Sequence, residues 1–300
     1  MSQVPVLEGN DNKLPKLDVE GSSPFARSSR LVSYCHTPAE KYHNWPQPSC
    51  SRLQLLRKSP LRFYHTYERG QRSAAGDSSG FAFGTLFHEL ALLLSSFWSL
   101  LHVAPKSVCT ATGAISEARA KEWVKDIPPG EYYCSPNDER QLREMWKCLM
   151  RNSRVRQLIE DREDAEFNCV WTMNGYQVRG RIDGRTPYCL FDWKTTRIEV
   201  PSRDWIRDAI TKYMYHMQAA MYMDAMDAMG MDVTPMRFIV TSTTWPHECA
   251  VITLPQHAID AGRKLCLELL DELESRRAWD FWQRYETEGD IEAHVPQHWL

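Results

Sequence analysis

Gly180-Arg181-Ile182-Asp183, followed by Leu190-Phe191-Asp192-Trp193-Lys194, is the stretch on which the fold turns. Tyr176 to Ile182 alternates with the period of two of a half-buried strand, and Asp183 closes that run. On the next strand Asp192 and Lys194 lie two apart and share a face, while Trp193 points into the opposite layer. Two carboxylates brought to one point repel unless something positive lies between them. A hard divalent cation with oxygen ligands answers that need, and Mg²⁺ requires only one or two carboxylates beside substrate phosphates. A lysine at the same point can hold or deprotonate a water, which completes the apparatus of metal-assisted phosphodiester hydrolysis. The triplet alone has a bland explanation, a salt-bridged strand end. At average usage an acid two before a lysine arises roughly once or twice in a chain of this length. Asp11-Asn12-Lys13 has the same spacing in a polar tail. What raises Asp192-Trp193-Lys194 above that background is the Gly-x-x-Asp strand before it and the helical elements around it.

Three hundred residues allow one large or two small domains, and 43% hydrophobic residues with eleven tryptophans can fill a substantial core. A net charge of −3 carries no global nucleic-acid signature, so any affinity for DNA must come from local basic patches. Phe87 to Leu101 is apolar but short and carries Glu89, so no membrane span is expected. The N-terminus has no apolar signal-peptide core, and nine cysteines are scattered without a C-x-x-C pair. Both features predict reduced thiols in a cytoplasm and argue against a zinc or iron–sulfur site.

Residues 1–28 are rich in Ser, Pro, Gly, Asp and Asn without periodicity and are expected to be disordered; 29–286 reads as one domain and 287–300 as an acidic tail. Short helices are predicted from Arg30 to Cys35 and after Thr37-Pro38. Arg52, Arg57, Lys58, Arg62, Arg69 and Arg72 face a single acid, Glu68, in a segment that is either a solvated face or a phosphate-tracking patch. Phe83 to Trp98 predicts an apolar helix carrying His88 and Glu89; a lone histidine there is more often a satisfied core residue than a ligand. Residues 102–113 read as a loop, and Ser116 to Lys125, Pro136 to Met150 and Arg154 to Glu160 as helices. Strands are predicted at Glu166 to Met173 and Tyr176 to Asp183, joined by an Asn174-Gly175 turn, and at Tyr188 to Lys194. A helix from Trp205 to Ala228 with a break near Tyr213 follows, then strands at Met236 to Thr243 and Glu248 to Leu254 and a long helix from Gln256. The methionine run from Met214 to Met231 reads as adaptable core packing. Gln218 and Tyr222, at i and i+4, share one helix face and by spacing alone would hydrogen-bond the sheet.

In order and spacing, His88, Asp183, Asp192-Trp193-Lys194, Gln218 and Tyr222 resemble the His, Gly-x-x-Asp, Asp/Glu-x-Lys and Gln-x-x-x-Tyr series of RecB-like PD-(D/E)XK nucleases. Thr37-Pro38-Ala39-Glu40-Lys41-Tyr42, Gly84-Thr85-Leu86-Phe87-His88 and Tyr213 to Tyr222 narrow the resemblance to the catalytic domain of exodeoxyribonuclease VIII (RecE-type). The resemblance implies an α/β restriction-endonuclease-like core with a mixed five-stranded sheet flanked by helices. It implies His88, Asp183, Asp192 and the Trp193 carbonyl as ligands of Mg²⁺, for which Mn²⁺ would substitute. Lys194 becomes the group that orients the attacking water, Gln218 and Tyr222 position the cleaved strand, and Glu166 and Glu89 support the metal. Arg179, Arg181, Arg185 and Arg197 suit phosphate contacts. The implied activity is 5′–3′ exonuclease action on duplex DNA ends in recombination or repair, in a bacterial or phage-encoded protein. A single-strand-annealing recombinase and a homo-oligomeric ring are the implied partners. Two rivals remain: an endonuclease or phage-defence nuclease on the same core, and a non-catalytic DNA-end-binding module, which would have no need of the Asp–Asp–Lys set.

Overall fold

The computed structural model describes residues 33–71, 79–231 and 235–283. Its elements in chain order are β1 (Ser33–Cys35), α1 (Ala39–His43), α2 (Cys50–Lys58), α3 (Pro60–Phe63), α4 (Ser79–Leu93), α5 (Phe97–Leu100), β2 (Leu101–Val103), β3 (Tyr132–Cys134) and α7 (Pro136–Arg151), with α6 (Glu117–Ala120) between β2 and β3. Then follow α8 (Ser153–Glu160), β4 (Asp164–Met173), β5 (Tyr176–Arg185), β6 (Leu190–Thr196), α9 (Arg203–Thr211), α10 (Tyr215–Ala228), β7 (Met236–Ser242), β8 (Cys249–Thr253) and α11 (Gln256–Trp279). The predicted tails at 1–28 and 287–300, and Arg72, lie outside the described residues.

The main sheet runs β1-β4-β5-β6-β7-β8, antiparallel throughout except for the parallel β6–β7 pair. Parallel neighbours need a crossover, and α9 with α10 supplies it. The β4–β5 hairpin forms at Asn174 and Gly175, both with positive φ (48° and 89°), as a two-residue turn of the twist-matching kind demands. The sheet has six strands rather than the five expected from sequence. The extra one is β1, where a helix was expected: Ser33, Tyr34 and Cys35 pair with Val170, Cys169 and Asn168. Tyr34 packs on Phe167, and the buried Asn168 amide donates to the Cys35 and Thr37 carbonyls. The expected loop at 102–113 is corrected only at its start, where Leu101–Val103 pairs in parallel with Tyr132–Cys134 in a small second sheet.

Two apolar layers sandwich the main sheet. On one side Phe167, Trp171, Ile182, Leu190 and Phe238 pack with Met217, Met221 and Tyr222 of α10 and with Leu269 and Leu270 of α11. On the other, Phe191, Trp193 and Ile239 pack with Phe87 and Leu90 of α4, Leu142 and Met145 of α7, and Val155 of α8. Successive β6 residues therefore serve opposite layers, as the period of two requires. A capping box between Ser135 and Asp138 starts α7, and Asn152 caps α8. Helices α10 and α11 meet at backbone contact: a Cβ on Gly262 would stand 2.2 Å from the His216 carbonyl oxygen.

Phe83–Leu100 is apolar and long enough to cross a membrane by composition alone. In the fold it is broken by a tight 3₁₀ turn at Leu94–Ser96, and one side of it, at Phe87, Leu90, Ala91 and Phe97, is buried in the core. All nine cysteines are free.

Candidate active site

Strands β5 and β6 are paired only at Gly184↔Phe191 and Arg185↔Leu190; beyond those pairs they part. The seam is filled by side chains. Asp183 Oδ2 accepts the Trp193 backbone N–H at 2.8 Å, standing in for the ladder bond that the parted strands cannot make. On the α4 side, His88 Nε2 lies 3.1 Å from the same carboxylate, and His88 Nδ1 lies 3.8 Å from Glu166 Oε1. Glu166 sits opposite Asp183 in the hairpin with φ of 47°, a left-handed kink in β4. On the α10 side, the Asp192 carboxylate accepts from Gln218 Nε2 at 2.6 Å and pairs with the Lys194 ammonium. The ammonium also lies 4.9 Å from the centre of the Tyr215 ring.

The charges explain one another. Burial and then the charge of Asp183 push the Asp192 carboxyl up to about 6. Burial would raise Asp183 as well, but the His88 cation, Lys194 and the Trp193 N–H hold it below the usual range. Burial would depress His88, yet Asp183, Glu166 and Asp192 lift it to about 9. Lys194 is likewise held charged above its ordinary value: burial opposes this, and Asp192, Tyr215 and Asp183 outweigh it. In this buried seam Asp183 and Asp192 are matched by the His88 and Lys194 cations, and burial together with the charge of Asp183 still displaces Asp192 toward its neutral form. Hard oxygen donors with one imidazole at that point fit a divalent cation. Among the described residues, the set whose ligand atoms all lie within 4.8 Å of one another is His88, Glu89 and Glu166, with Asp183 against His88. Tyr132 of β3 donates to Glu89 at 2.8 Å and holds it toward that set.

The residues expected from sequence divide clearly. Asp183, Asp192, Lys194, His88 and Glu166 come together in the seam, with Glu89 beside them. Gln218 and Tyr222 do not present themselves to a cleaved strand. Both are buried; Gln218 holds Asp192, and the Tyr222 hydroxyl donates to the Arg181 carbonyl at 2.6 Å. They brace the two strands that carry the carboxylates.

Among the arginines, the structure corrects Arg179. Arg179 is fully buried, donates to the Tyr42 and His43 carbonyls and lies 4.5 Å over the Tyr42 ring. Burial lowers its basicity to about 10, and it meets no open surface. Arg181 pairs with Glu166, and Arg185 with Glu163 at 2.7 Å, so both are engaged within the domain. Arg197 is exposed just past the end of β6. In the 51–72 segment, Arg52 donates to the His43, Pro46 and Gln47 carbonyls and Arg69 to the Tyr64 hydroxyl, while Arg57 and Arg62 are exposed. Sequence reasoning passed over Tyr215. Its place three before Gln218, and so on the same helix face, was the available signal.

A model of the PD-(D/E)XK nuclease superfamily matches residues 47–285. The solved structure named "Putative exonuclease" from Eubacterium rectale superposes with a TM-score of 0.58 at 10% sequence identity, over 87% of this chain and 96% of that one. At that identity the likeness is one of fold. No curated protein matches the sequence.

Proposed function

Because the chain belongs to the PD-(D/E)XK nuclease superfamily, we propose that it is a divalent-metal-dependent DNA exonuclease that hydrolyses phosphodiester bonds from duplex ends. The observation that carries the proposal is the pair of buried carboxylates in the β5–β6 seam with Lys194 against one of them. Burying such a charge arrangement is costly for a strand end that only needs to fold. PD-(D/E)XK nucleases are generally dependent on a divalent metal. Here Asp183, Asp192, His88 and the Trp193 carbonyl are the groups that would hold Mg²⁺, or Mn²⁺ in its place, with Glu166 and Glu89 adjacent. When bound, such an ion polarises the phosphate and lowers the pKa of a water.

The chain's own residues do the rest. Lys194 is held charged beside Asp192, where its ammonium orients the attacking water and offsets charge on the pentavalent phosphorus. Gln218 fixes the Asp192 carboxylate, and Asp183 keeps the seam open by occupying the Trp193 N–H. Exonuclease action, 5′–3′ polarity and a place in recombination or repair, with an annealing recombinase and a ring-shaped homo-oligomer as partners, rest on the RecE-type resemblance. The name of the Eubacterium rectale protein supports the first of these.

The test is degradation of linear duplex DNA labelled at either end, beside covalently closed circles, with Mg²⁺. Progressive loss from 5′ ends with intact circles is expected, and Lys194→Ala should lower the rate by about 100-fold or more. Cut circles would replace the exonuclease reading with an endonuclease. DNA binding without cleavage in Mg²⁺ or Mn²⁺ would end the catalytic reading.

A further inference from the structure

A pile of aromatic rings leads from the core to solvent beside Lys194. Phe238 of β7 is fully buried, and the Tyr215 ring lies on it at 5.2 Å with 23° between planes. Tyr213 lies on Tyr215 at 5.5 Å and 16°. Tyr213, at the outer end, is 38% exposed. The local chain accounts for the pile. Past the end of α9, the Tyr213 N–H returns to the Asp208 carbonyl at 2.9 Å. Met214 then takes a left-handed φ of 51° with its side chain buried, and α10 begins at Tyr215. This reversal brings two rings that are two residues apart into parallel. Gln54 of α2 donates to the Tyr213 carbonyl at 2.6 Å and ties the turn down.

Nothing in the chemistry above uses Tyr213. A flat ring fixed on a rooted stack, next to the ring that the Lys194 ammonium meets, is a surface for another flat ring. Base–aromatic stacking is the main sequence-tolerant way a protein holds an unpaired nucleotide. The geometry points to Tyr213 as a stacking shelf for a nucleobase of the strand whose phosphate reaches Lys194. This rests on the nuclease reading of that site. The Lys212 ammonium lies 5.0 Å from the centre of the Tyr213 ring. A base arriving on the ring takes that seat, and the exposed lysine turns to the adjoining phosphate. The shelf reads no base edge, so it holds any base, and it grips a strand end whose bases are already unpaired.

The experiment uses linear duplexes carrying one abasic site at each successive position near the labelled end. They are cut by wild type, Tyr213→Ala and Tyr213→Phe with Mg²⁺. Tyr213→Ala should raise KM roughly tenfold or more with kcat changed far less, and Tyr213→Phe should restore it. At one abasic position, wild type and Tyr213→Ala should become equal, because the base that the shelf holds is gone. A wild-type KM in Tyr213→Ala overturns the shelf. So does a defect that persists at every abasic position, since Tyr213 would then only prop Tyr215. Equilibrium affinities for the same duplexes in Ca²⁺ repeat the comparison without cleavage. A protein that binds but never cuts therefore sinks the nuclease reading while still deciding on the shelf, and a protein that does not bind sinks both. Should Tyr213→Ala melt early, Tyr213→Leu, which keeps apolar contact with Tyr215 but offers no flat face, takes its place.

Discussion

Asp183 shows how one side chain can be chemical and structural together. Its carboxylate belongs to the charge cluster, and the same oxygen satisfies the Trp193 N–H in a buried seam. Removing that acceptor strands a buried donor, at a cost of about 1–3 kcal/mol. Asp183→Asn keeps an acceptor and loses the charge; Asp183→Ala loses both. In urea denaturation at neutral pH Asp183→Asn should lose the His88 ion pair alone, and Asp183→Ala should be about 1–3 kcal/mol less stable than Asp183→Asn. Both should be inactive on linear DNA. Equal stabilities for the two variants would mean that the N–H finds another partner and that the seam does not depend on Asp183. Glu166 carries a second burden of this kind, because its carboxylate reaches His88 and Arg181 only from a left-handed backbone at that residue.

At the scale of elements, Arg179 in β5 tests what a strand pattern can and cannot reveal. Replacing it with Met should cost about 1–3 kcal/mol, since the Tyr42 carbonyl loses its buried guanidinium donor and the Tyr42 ring its cation. DNA affinity and its salt dependence should stay as in wild type, which titrations at several salt concentrations would check. A shallower salt slope would mean that Arg179 reaches phosphate after all. The alternation of Tyr176 to Ile182, the Asn174-Gly175 turn and the Ser135 cap made β4, β5 and α7 legible, because each of those signals is local. The Asp–Asp–Lys grouping was legible for the same reason. Strands of three residues, such as β1, β2 and β3, are too short to show a period and are set by their pairing partners. The direction of the arginines was hidden for a different reason. Alternation tells which side of a sheet a residue takes, not whether that side is covered, and the α1–α2 loop that covers Arg179 comes from far upstream in the chain.

For the whole molecule, β6 is shared between two cores, and the carboxylate-bearing seam lies where both must close. Helix α4 sets His88 from one side and α10 sets Gln218 from the other, so the site inherits its dimensions from packing at a distance. Gly262 is the sharpest case, because α11 approaches α10 until its backbone touches the His216 carbonyl. Gly262→Ala should push α10 outward, lower stability by about 1–3 kcal/mol and cut activity through the lost Gln218–Asp192 contact. Melting curves together with initial rates would show this, and a variant with unchanged rate would mean that α10 moves without carrying Gln218. A genetic screen for loss of cleavage should then recover changes at 262 alongside those at 192 and 194. The residue with no functional group would tolerate as little variation as the ones that do the chemistry.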